Sequence, residues 1–410
     1  MTSIIFENAR VLDGRSDEGE PDCFVRVADG LVAEVSDRPI ADTRARRIDL
    51  RGRTLMPGLT DCHVHVVSVF ADPAESAKLP DSLIALHAAR MLKDMLLRGF
   101  TTVRDVGGAD YGLQQAVEQG VIDGSRLVIC GKAFAQTGGH VDYRTRYDTG
   151  SASQNDRLGS TTYVCDGADA CRRAAREELR RGAQFIKVMA NGGAASSRFP
   201  VDSLAFSVDE LRAFVEEAEN AGTYVSGHLY SDRSIRRAVE CGVLSVEHAT
   251  LIQPDTARAM REKGAIACPT IATYESQIKE AKALGLSDDV IAKLDRVNRK
   301  SPDSLTIMRE AGVKMAYGTD LLGPLIKYQA DEFIIRGRTL PAIEVIRSAT
   351  SHAAELLRMT GKVGTIADGA FADLIVLDSD PLADLSVFGD QSRMPVIMKG
   401  GKFYKNQLNA

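Results

Sequence analysis

The sequence has no surplus of basic residues and no long hydrophobic run. Its 410 residues carry a formal net charge of −5 at pH 7, whereas a nucleic-acid-binding domain usually carries a basic surplus. A membrane helix needs about 18–20 consecutive apolar residues, and no run in this sequence approaches that length. We therefore expect neither a nucleic-acid partner nor a membrane partner.

Cysteine is scarce, and its seven residues are scattered without a C-x-x-C pair. An odd number at such spacing argues against a disulfide framework. The first residues, Met1-Thr-Ser-Ile-Ile-Phe, lack the basic and apolar regions of a secretory signal. The sequence therefore predicts reduced thiols and a cytoplasmic location.

Both ends of the chain have the pattern of short β-strands. Runs of β-branched residues lie within residues 4–35 and 372–398, and Asp13-Gly14 and Asp29-Gly30 are hairpin-turn signals. Neither end has enough strands to bury a core alone. We predict one small β-sandwich domain built from both termini, residues 1–57 plus 360–410.

The middle of the chain, residues 58–359, alternates apolar strand candidates with helical segments. The strand candidates are 59–66, 101–106, 127–134, 185–190, 224–228, 244–249, 265–270 and 313–320. Helical spacing marks 82–98 and 342–358, and Ser207-Val-Asp-Glu210 is a capping box. Eight strand–helix units in about 300 residues predict an α/β fold of the (β/α)8 TIM-barrel type. The long polar stretch 135–166 is typical of a functional loop or lid.

Five of the seven histidines lie at or just beyond the carboxyl ends of predicted strands: His63, His65, His140, His228 and His248. In a (β/α)8 barrel this rim carries the active site. Side chains two residues apart on a strand point the same way, so His63 and His65 can chelate one metal ion.

Lys187 lies inside the apolar strand Phe185-Ile-Lys-Val-Met-Ala190, where a cation is costly. One interpretation pairs its ammonium with a carboxylate across the barrel. The other is that nearby metals lower the lysine pKa, so that the neutral amine reacts with carbon dioxide and the carbamate bridges two cations. The four histidines and Asp320, which ends the eighth strand candidate in Gly318-Thr319-Asp320, favour the second.

These motifs together resemble the binuclear-metal amidohydrolase superfamily. They are Pro57-Gly-Leu-Thr-Asp-Cys-His-Val-His65, the lysine of the fourth strand, two strand-end histidines and Gly318-Thr-Asp320. The resemblance implies a first divalent metal ion held by His63, His65 and Asp320. It implies a second held by His228 and His248, with carboxylated Lys187 bridging the two. Zinc suits these nitrogen and oxygen ligands, and manganese and cobalt are alternatives.

The chemistry implied by the resemblance is amide hydrolysis. Two metals about 3.5–4 Å apart can share a hydroxide nucleophile, and one of them polarises the substrate carbonyl. Asp320 would take the proton of the hydroxide and deliver it to the leaving nitrogen.

Three further motifs resemble the dipeptidase branch of this superfamily: Thr137-Gly-Gly-His140, His228-Leu-Tyr230 and Ser245-Val-Glu-His-Ala-Thr250. The resemblance implies an Xaa-Pro dipeptidase, or prolidase, with a carboxypeptidase that removes C-terminal residues from short peptides as the alternative. It also implies that His140 and Tyr230 contact this small peptide substrate. Valine at 141 replaces the glycine of the usual G-G-H-G-D, and Ser231-Asp232 replaces the usual threonine and proline.

The sequence leaves two alternatives for the preferred C-terminal residue of the substrate: proline or a small neutral residue, and Arg or Lys. Cationic side chains in predicted rim loops could receive a peptide carboxylate: Arg144, Arg146 and Arg198. A pocket for C-terminal Arg or Lys would need an inward carboxylate, for which Asp142 and Asp202 are candidates. Neither is compelling, so we favour proline or a small neutral residue over Arg or Lys.

Other hypotheses are a cyclic-amide hydrolase, a deaminase and a metal-free scaffold protein on the same fold. Lys187 argues against a single-metal deaminase, and the complete ligand set argues against the scaffold. The exposed helices of a barrel often support homo-oligomers, so a second copy of this chain is a possible partner. By strand alternation Glu247 should point out of the barrel if His248 points in, and Asn191-Gly192-Gly193 is interpreted as a flexible turn.

Overall fold

The structure is a computed structural model that describes residues 3–149, 157–195 and 199–408. Its strands are β1 (Ile4–Val11), β2 (Glu20–Ala28), β3 (Leu31–Ser36), β4 (Arg46–Asp49), β5 (Thr54–Pro57), β6 (Leu59–Val64), β7 (Phe100–Asp105), β8 (Arg126–Ile129), β9 (Ala133–Ala135), β10 (Thr162–Val164), β11 (Ile186–Val188), β12 (Val225–Ser231), β13 (Ser245–Leu251), β14 (Ile266–Cys268), β15 (Leu374–Leu377), β16 (Val396–Lys399) and β17 (Lys402–Asn406).

The helices lie mostly between the central strands. They are α1 (Pro73–Ser76), α2 (Asp81–Leu97), α3 (Tyr111–Glu118), α4 (Ala168–Arg180), α5 (Val208–Asn220), α6 (Asp232–Glu240), α7 (Pro254–Glu262), α8 (Ile271–Lys279), α9 (Asp288–Glu310), α10 (Asp331–Gly337), α11 (Ala342–Ser348) and α12 (Ser351–Leu356). Among the described residues, no helix combines the length and the apolar character that crossing a bilayer requires.

Strands from both ends of the chain form one sheet, in the order β17-β16-β15-β5-β1-β2-β3, with β4 beside β1. β15 pairs antiparallel with β5, so the C-terminal strands bond directly to the N-terminal ones. Phe6 on β1 packs on Phe403 on β17, with ring centroids 6.4 Å apart, so strands that are not neighbours in the sheet order come into contact. The alternate apolar residues of the strands therefore enclose a separate hydrophobic core.

Both predicted turn signals lie in hairpin connections. Asp29 and Gly30, at φ 51° and 79°, join the antiparallel strands β2 and β3, as a two-residue turn of positive φ requires. Asp13-Gly14 lies in the longer connection between β1 and β2, which pair antiparallel with Val11 opposite Glu20, so that hairpin is confirmed as well. Gly14 packs against Gly364, whose carbonyl oxygen would lie 2.4 Å from an added Cβ atom.

The central strands are parallel and buried on both faces. They lie in a three-stranded sheet, β6-β7-β8, and a six-stranded sheet, β10-β9-β11-β12-β13-β14. β8 and β9 are two parts of one predicted strand, interrupted at Gly131, where φ is 69°. Continuous apolar sequence, rather than alternation, is what strands covered on both faces require.

The eighth strand candidate, 313–320, pairs less regularly than predicted and forms a single bridge, Ala267 with Met315. Its backbone still bonds on both sides. Ala316 N donates to Ala267 O on β14, and Cys62 N on β6 donates to Tyr317 O, each at 2.8 Å. Hydrogen bonds therefore run from β14 through this segment to β6.

The predicted helix 82–98 corresponds to α2, and the predicted capping box is present at α5: Ser207 accepts from Glu210 N while the Glu210 side chain accepts from Ser207 N. The single helix predicted over 342–358 is wrong. Thr350 leaves the helical region at φ −129° and ψ −98° and separates α11 from α12.

A buried ion pair joins the terminal sheet to the central strands. Arg126 on β8 donates to Asp373, just before β15, with Nη2 and Oδ2 3.1 Å apart. Asp373 Oδ1 also accepts from Gly400 N at 2.7 Å, and the Arg126 guanidinium lies 4.2 Å from the Phe371 ring centroid. One buried carboxylate therefore satisfies donors from two different parts of the fold.

We expect Asp373→Ala to lower the free energy of unfolding by about 3 kcal/mol, because it leaves a largely buried guanidinium without its partner. Asp378→Ala is the matched control, since its ion pair with Arg53 is more exposed and should contribute at most about 1 kcal/mol. Urea unfolding followed by circular dichroism measures both variants. Equal losses would contradict the structural role of Asp373.

Candidate metal centre

The histidines, the lysine and the aspartate that the sequence singles out come together at the carboxyl ends of the central strands. His63 lies on β6 with His65 just beyond it, and Lys187, His228 and His248 lie on β11, β12 and β13. All of these except His248, together with Asp320, line one cavity of about 940 Å³. His248 contacts the ring of His228 directly.

His63, His65 and Asp320 offer three ligand atoms that converge on one point. Asp320 Oδ1 lies 3.4 Å from His63 Nε2 and 3.3 Å from His65 Nε2. His65 Nδ1 faces the carbonyl oxygen of Gly107 at 3.3 Å. Since a carbonyl can only accept, the proton of neutral His65 is on Nδ1 and its Nε2 lone pair faces Asp320.

Burial lowers the pKa of His65, but the hydrogen bond and charge of Asp320 outweigh burial and raise the net pKa. Burial would raise the pKa of Asp320, but the neighbouring His63, His65 and His248 together outweigh burial and hold this pKa well below its usual range. A carboxylate and two imidazole lone pairs in one place therefore attract a positive charge, which a divalent cation would supply.

His228 and His248 form a second pair, with His228 Nδ1 and His248 Nε2 2.8 Å apart. His228 Nε2 lies 3.2 Å from the carbonyl oxygen of Gly192, which can only accept, so the Nδ1 lone pair faces His248. Burial lowers the pKa of both imidazoles well below the usual value. Both rings are therefore neutral at pH 7, the state in which histidine binds a metal.

Lys187 is fully buried on β11, and its Nζ has no hydrogen-bond partner among the described residues. Burial lowers the pKa of this amine, although the carboxylate of Glu247 partly opposes the shift. An unpartnered buried amine beside two groups of metal-ligating side chains fits a site that is completed by a further ligand.

The prediction that Glu247 points out of the barrel is wrong. Glu247 is fully buried, and its Oε2 accepts from His63 Nδ1 at 2.8 Å. Its Oε1 accepts from Arg104 Nη2 at 2.8 Å, and from Ser226 and Ser245 at 2.7 and 2.5 Å. Burial alone would raise the pKa of Glu247, but Arg104 holds it well below its usual range.

Positive φ angles in the backbone explain why the alternation of side chains along a strand gave the wrong direction for Glu247. Glu247 pairs in register with His228 on the neighbouring strand, so both side chains point inward. His248 and Ala249 then adopt φ 72° and 54°, which also turns His248 toward the site. Asp320 has φ 52° as well. Non-glycine residues in this region are strained, and such strain is concentrated at functional sites.

Two further residues that the sequence analysis did not assign hold the site in place. Asp61 Oδ1 accepts from His63 N at 3.1 Å and from Thr319 N at 3.2 Å, so it ties β6 to the segment ending at Asp320. Asn191, interpreted as part of a flexible turn, is buried. Its Oδ1 accepts from Tyr230 N at 2.6 Å and so fixes the end of β12.

His140 and Tyr230 both line the cavity. The His140 ring stacks on His228 with centroids 4.6 Å apart and lies over Gly193, where an added Cβ atom would approach it within 2.3 Å. Burial lowers the His140 pKa to about 4. Tyr230 stacks on His248 with centroids 4.5 Å apart, and burial raises the pKa of its hydroxyl well above the usual value. Both groups are therefore neutral at pH 7.

The structure places the charged side chains considered for substrate recognition in different surroundings. Arg144 and Asp142 line the cavity but pair with each other, Nη2 to Oδ2 at 2.7 Å. Asp202 is exposed and pairs with Arg296, so this candidate for an inward carboxylate does not point into the cavity. Arg146 lines the cavity, and Arg198 lies outside the described residues.

Comparison of the sequence with known proteins gives a family match and a similar protein. A family model described as the amidohydrolase family matches residues 54–403. Ochratoxinase from Aspergillus niger is 30% identical over 406 residues, which cover 95% of this chain and 84% of that protein.

Solved structures are similar over the whole chain. A prolidase complexed with N-methylphosphonate-L-proline matches with a TM-score of 0.96 and 43% identity, covering 99% of this chain and all of that one. An Xaa-Pro dipeptidase with bound methionine in its active site matches with a TM-score of 0.87 and 28% identity over 99% of this chain and 100% of that one. The family model spans most of the sequence and agrees with the motifs around His63 and Asp320, and the chain therefore belongs to the amidohydrolase family.

Proposed function

We propose that this amidohydrolase-family hydrolase cleaves the amide bond of Xaa-Pro dipeptides. The observation that carries the proposal is the convergence of His63 Nε2, His65 Nε2 and Asp320 Oδ1, beside a buried histidine pair and the unpartnered amine of Lys187. The 43% identity to a prolidase complexed with a proline phosphonate favours proline over other C-terminal residues.

The architecture that we infer is a (β/α)8 barrel with a small β domain from both termini. The parallel strands, the hydrogen bonds of segment 313–320 to both β14 and β6, and the helices between the strands support the barrel. The separate hydrophobic core of the terminal sheet supports the second domain.

The donor set fits two divalent metal ions. His63, His65 and Asp320 would hold one ion and His228 and His248 the other, with Lys187 between them as a carbamate. The carbamate would form when the neutral amine bonds to the carbon of carbon dioxide and loses a proton. The ions would supply a water of lowered pKa and a Lewis acid for the substrate carbonyl, for which zinc is suitable.

The residues of the chain would perform the proton transfers and position the substrate. Ionised Asp320 would accept a proton from the attacking water and pass it to the proline nitrogen, which leaves poorly without protonation. Protonated Tyr230 can donate a hydrogen bond to the carbonyl or carboxylate of the dipeptide, and neutral His140 can donate or accept one. Arg146 lines the same cavity and could receive the carboxylate.

Glu247 would act through His63. An ionised carboxylate only accepts, so the bond to Glu247 keeps the His63 proton on Nδ1 and directs the Nε2 lone pair toward Asp320. Arg104 keeps Glu247 ionised despite its burial. Metal affinity would therefore depend on a residue that itself does not bind the metal.

A dipeptide library scored by C-terminal residue tests the proposed activity. We expect the metal-loaded enzyme to release proline from Xaa-Pro dipeptides with a higher kcat/KM than it releases Arg, Lys or other residues. Asp320→Asn is the control, since it removes the proton acceptor at the site. Faster hydrolysis of hydantoins or lactams than of every dipeptide would replace the proposal with a cyclic-amide hydrolase.

Lys187→Ala should remove activity and reduce bound metal, because the bridging anion is lost. Partial rescue by short carboxylic acids added with metal would show that a carboxylate is what is missing. Metal content by mass spectrometry and proline release measure the two effects, with Lys402→Ala, on an exposed strand, as the control. Full turnover by Lys187→Ala would contradict the bridging role.

Glu247→Gln should lower metal affinity about 10- to 100-fold, the usual effect of losing a partner of a metal-ligating histidine. Ser226→Ala is the matched control, because it removes a different hydrogen bond to Glu247 and leaves the one to His63 intact. Competition with a metal chelator measures both affinities, and thermal unfolding checks the fold. Equal affinities in the two folded variants would show that the bond to His63 does not matter.

A further inference from the structure

The cavity at the metal centre is larger than a dipeptide requires. Its volume of about 940 Å³ lies near the upper end of about 300–1,000 Å³ that is typical of pockets for drug-sized ligands. The volume beyond the ligand residues must therefore accept either solvent or a bulky part of the substrate.

The two sides of this cavity differ in chemistry. One wall comes from the stretch after β9 and is polar, with Thr137, Asp142, Tyr143, Arg144 and Arg146. The other wall comes from α8, its connection to α9 and the start of α9, and it is mainly aliphatic although Gln277 and Ser287 also line it. Its main side chains are Leu284, Leu286, Val290 and Leu294.

The sheet topology places half of the candidate ligands between these walls. The polar wall follows β9 and the apolar wall follows β14, and the order β9-β11-β12-β13-β14 separates them. The intervening strands carry Lys187, His228 and His248. A substrate whose scissile carbonyl lies at the ligands therefore extends one substituent toward each wall.

We propose that the apolar wall binds the side chain on the acyl side of the scissile bond, so that the enzyme prefers substrates with a large aliphatic or aromatic N-terminal residue. This inference rests on the proposed function for the position of the bond. The C-terminal carboxylate would face the polar wall, where it can meet cationic and hydroxyl donors. The apolar side chain would face the leucines, where it leaves water.

The half-buried leucines of the apolar wall are suited to this role. Leu284 and Leu286 are each partly exposed to the cavity, whereas Leu294 is 1% exposed and belongs to the hydrophobic core. A ligand side chain can therefore cover Leu284 and Leu286 without displacing core residues.

Steady-state kinetics on four dipeptides tests the proposal: Gly-Pro, Ala-Pro, Leu-Pro and Phe-Pro. In a hydrophobic pocket one methylene changes kcat/KM by about 10- to 200-fold. We expect Leu-Pro and Phe-Pro to exceed Gly-Pro by at least about 10-fold. Leu284→Ala combined with Leu286→Ala should lower kcat/KM for Phe-Pro about 10-fold and leave Ala-Pro within about twofold.

Leu86→Ala is the control, because Leu86 lies on α2 and is 71% exposed. It should leave all four values unchanged. Metal content and melting temperature are measured for every variant, so that a loss of fold is recognised. Equal values for the four dipeptides in the wild type, or an equal loss for Phe-Pro and Ala-Pro in the folded double variant, would overturn the proposal.

Failure of the proposed function would be distinguishable from failure of this inference. If no Xaa-Pro dipeptide is cleaved, the same variants are tested on N-phenylacetyl and N-acetyl derivatives of a series of amino acids. A preference for the phenylacetyl group that the double variant loses would support the apolar wall without prolidase activity. If the enzyme shows no preference for the phenylacetyl group, the proposed role of the apolar wall is overturned as well.

Discussion

The ionised carboxylate of Glu247 is the group on which the arrangement of the site depends. Burying a charge is costly unless it is paired and hydrogen-bonded, and Glu247 is completely buried. Arg104, Ser226 and Ser245 satisfy one of its oxygens, which leaves the other to accept from His63 Nδ1. The hydrogen bond to Glu247 therefore determines the orientation of the His63 ring. His63 O in turn accepts from Asp320 N at 2.8 Å, so the position of a second candidate ligand follows from the first.

Much of the candidate site could be predicted from the sequence because its candidate ligands lie at the ends of strands, where apolar runs stop at a histidine or an aspartate. His228 and Lys187 are examples of polar residues in buried strands. The free-energy cost of burying a polar side chain indicated that such residues have a functional role. The same argument applied to Glu247 would have placed it inside, because a glutamate between Val246 and His248 is equally costly without a partner. The assumption that side chains alternate strictly along the strand gave the wrong direction for Glu247, because the positive φ of His248 cannot be predicted from residue types.

Segments with weak local preferences were predicted less accurately. The helix over 342–358 is interrupted at the buried Thr350, although the apolar spacing on both sides is continuous. The hairpin at Asp13-Gly14 forms, but its connection is long and packs Gly14 on Gly364. Such contacts between distant parts of the chain are what sequence patterns alone cannot show.

Substrate recognition was the least predictable part, and the structure gives a physical reason. Arg144 had the right residue type for a carboxylate, yet Asp142, two positions earlier, already pairs with it. The apolar wall lies in the connection after α8, a segment without motif residues. The candidate metal ligands lie on strands or directly after them, and strands hold geometry precisely, whereas both walls are formed largely by connections between strands and helices, which tolerate change. We therefore expect the strand ends to set the reaction and the walls to set the choice of substrate. A motif at the strand ends identifies the reaction, and only the shape and polarity of the walls can identify the substrate.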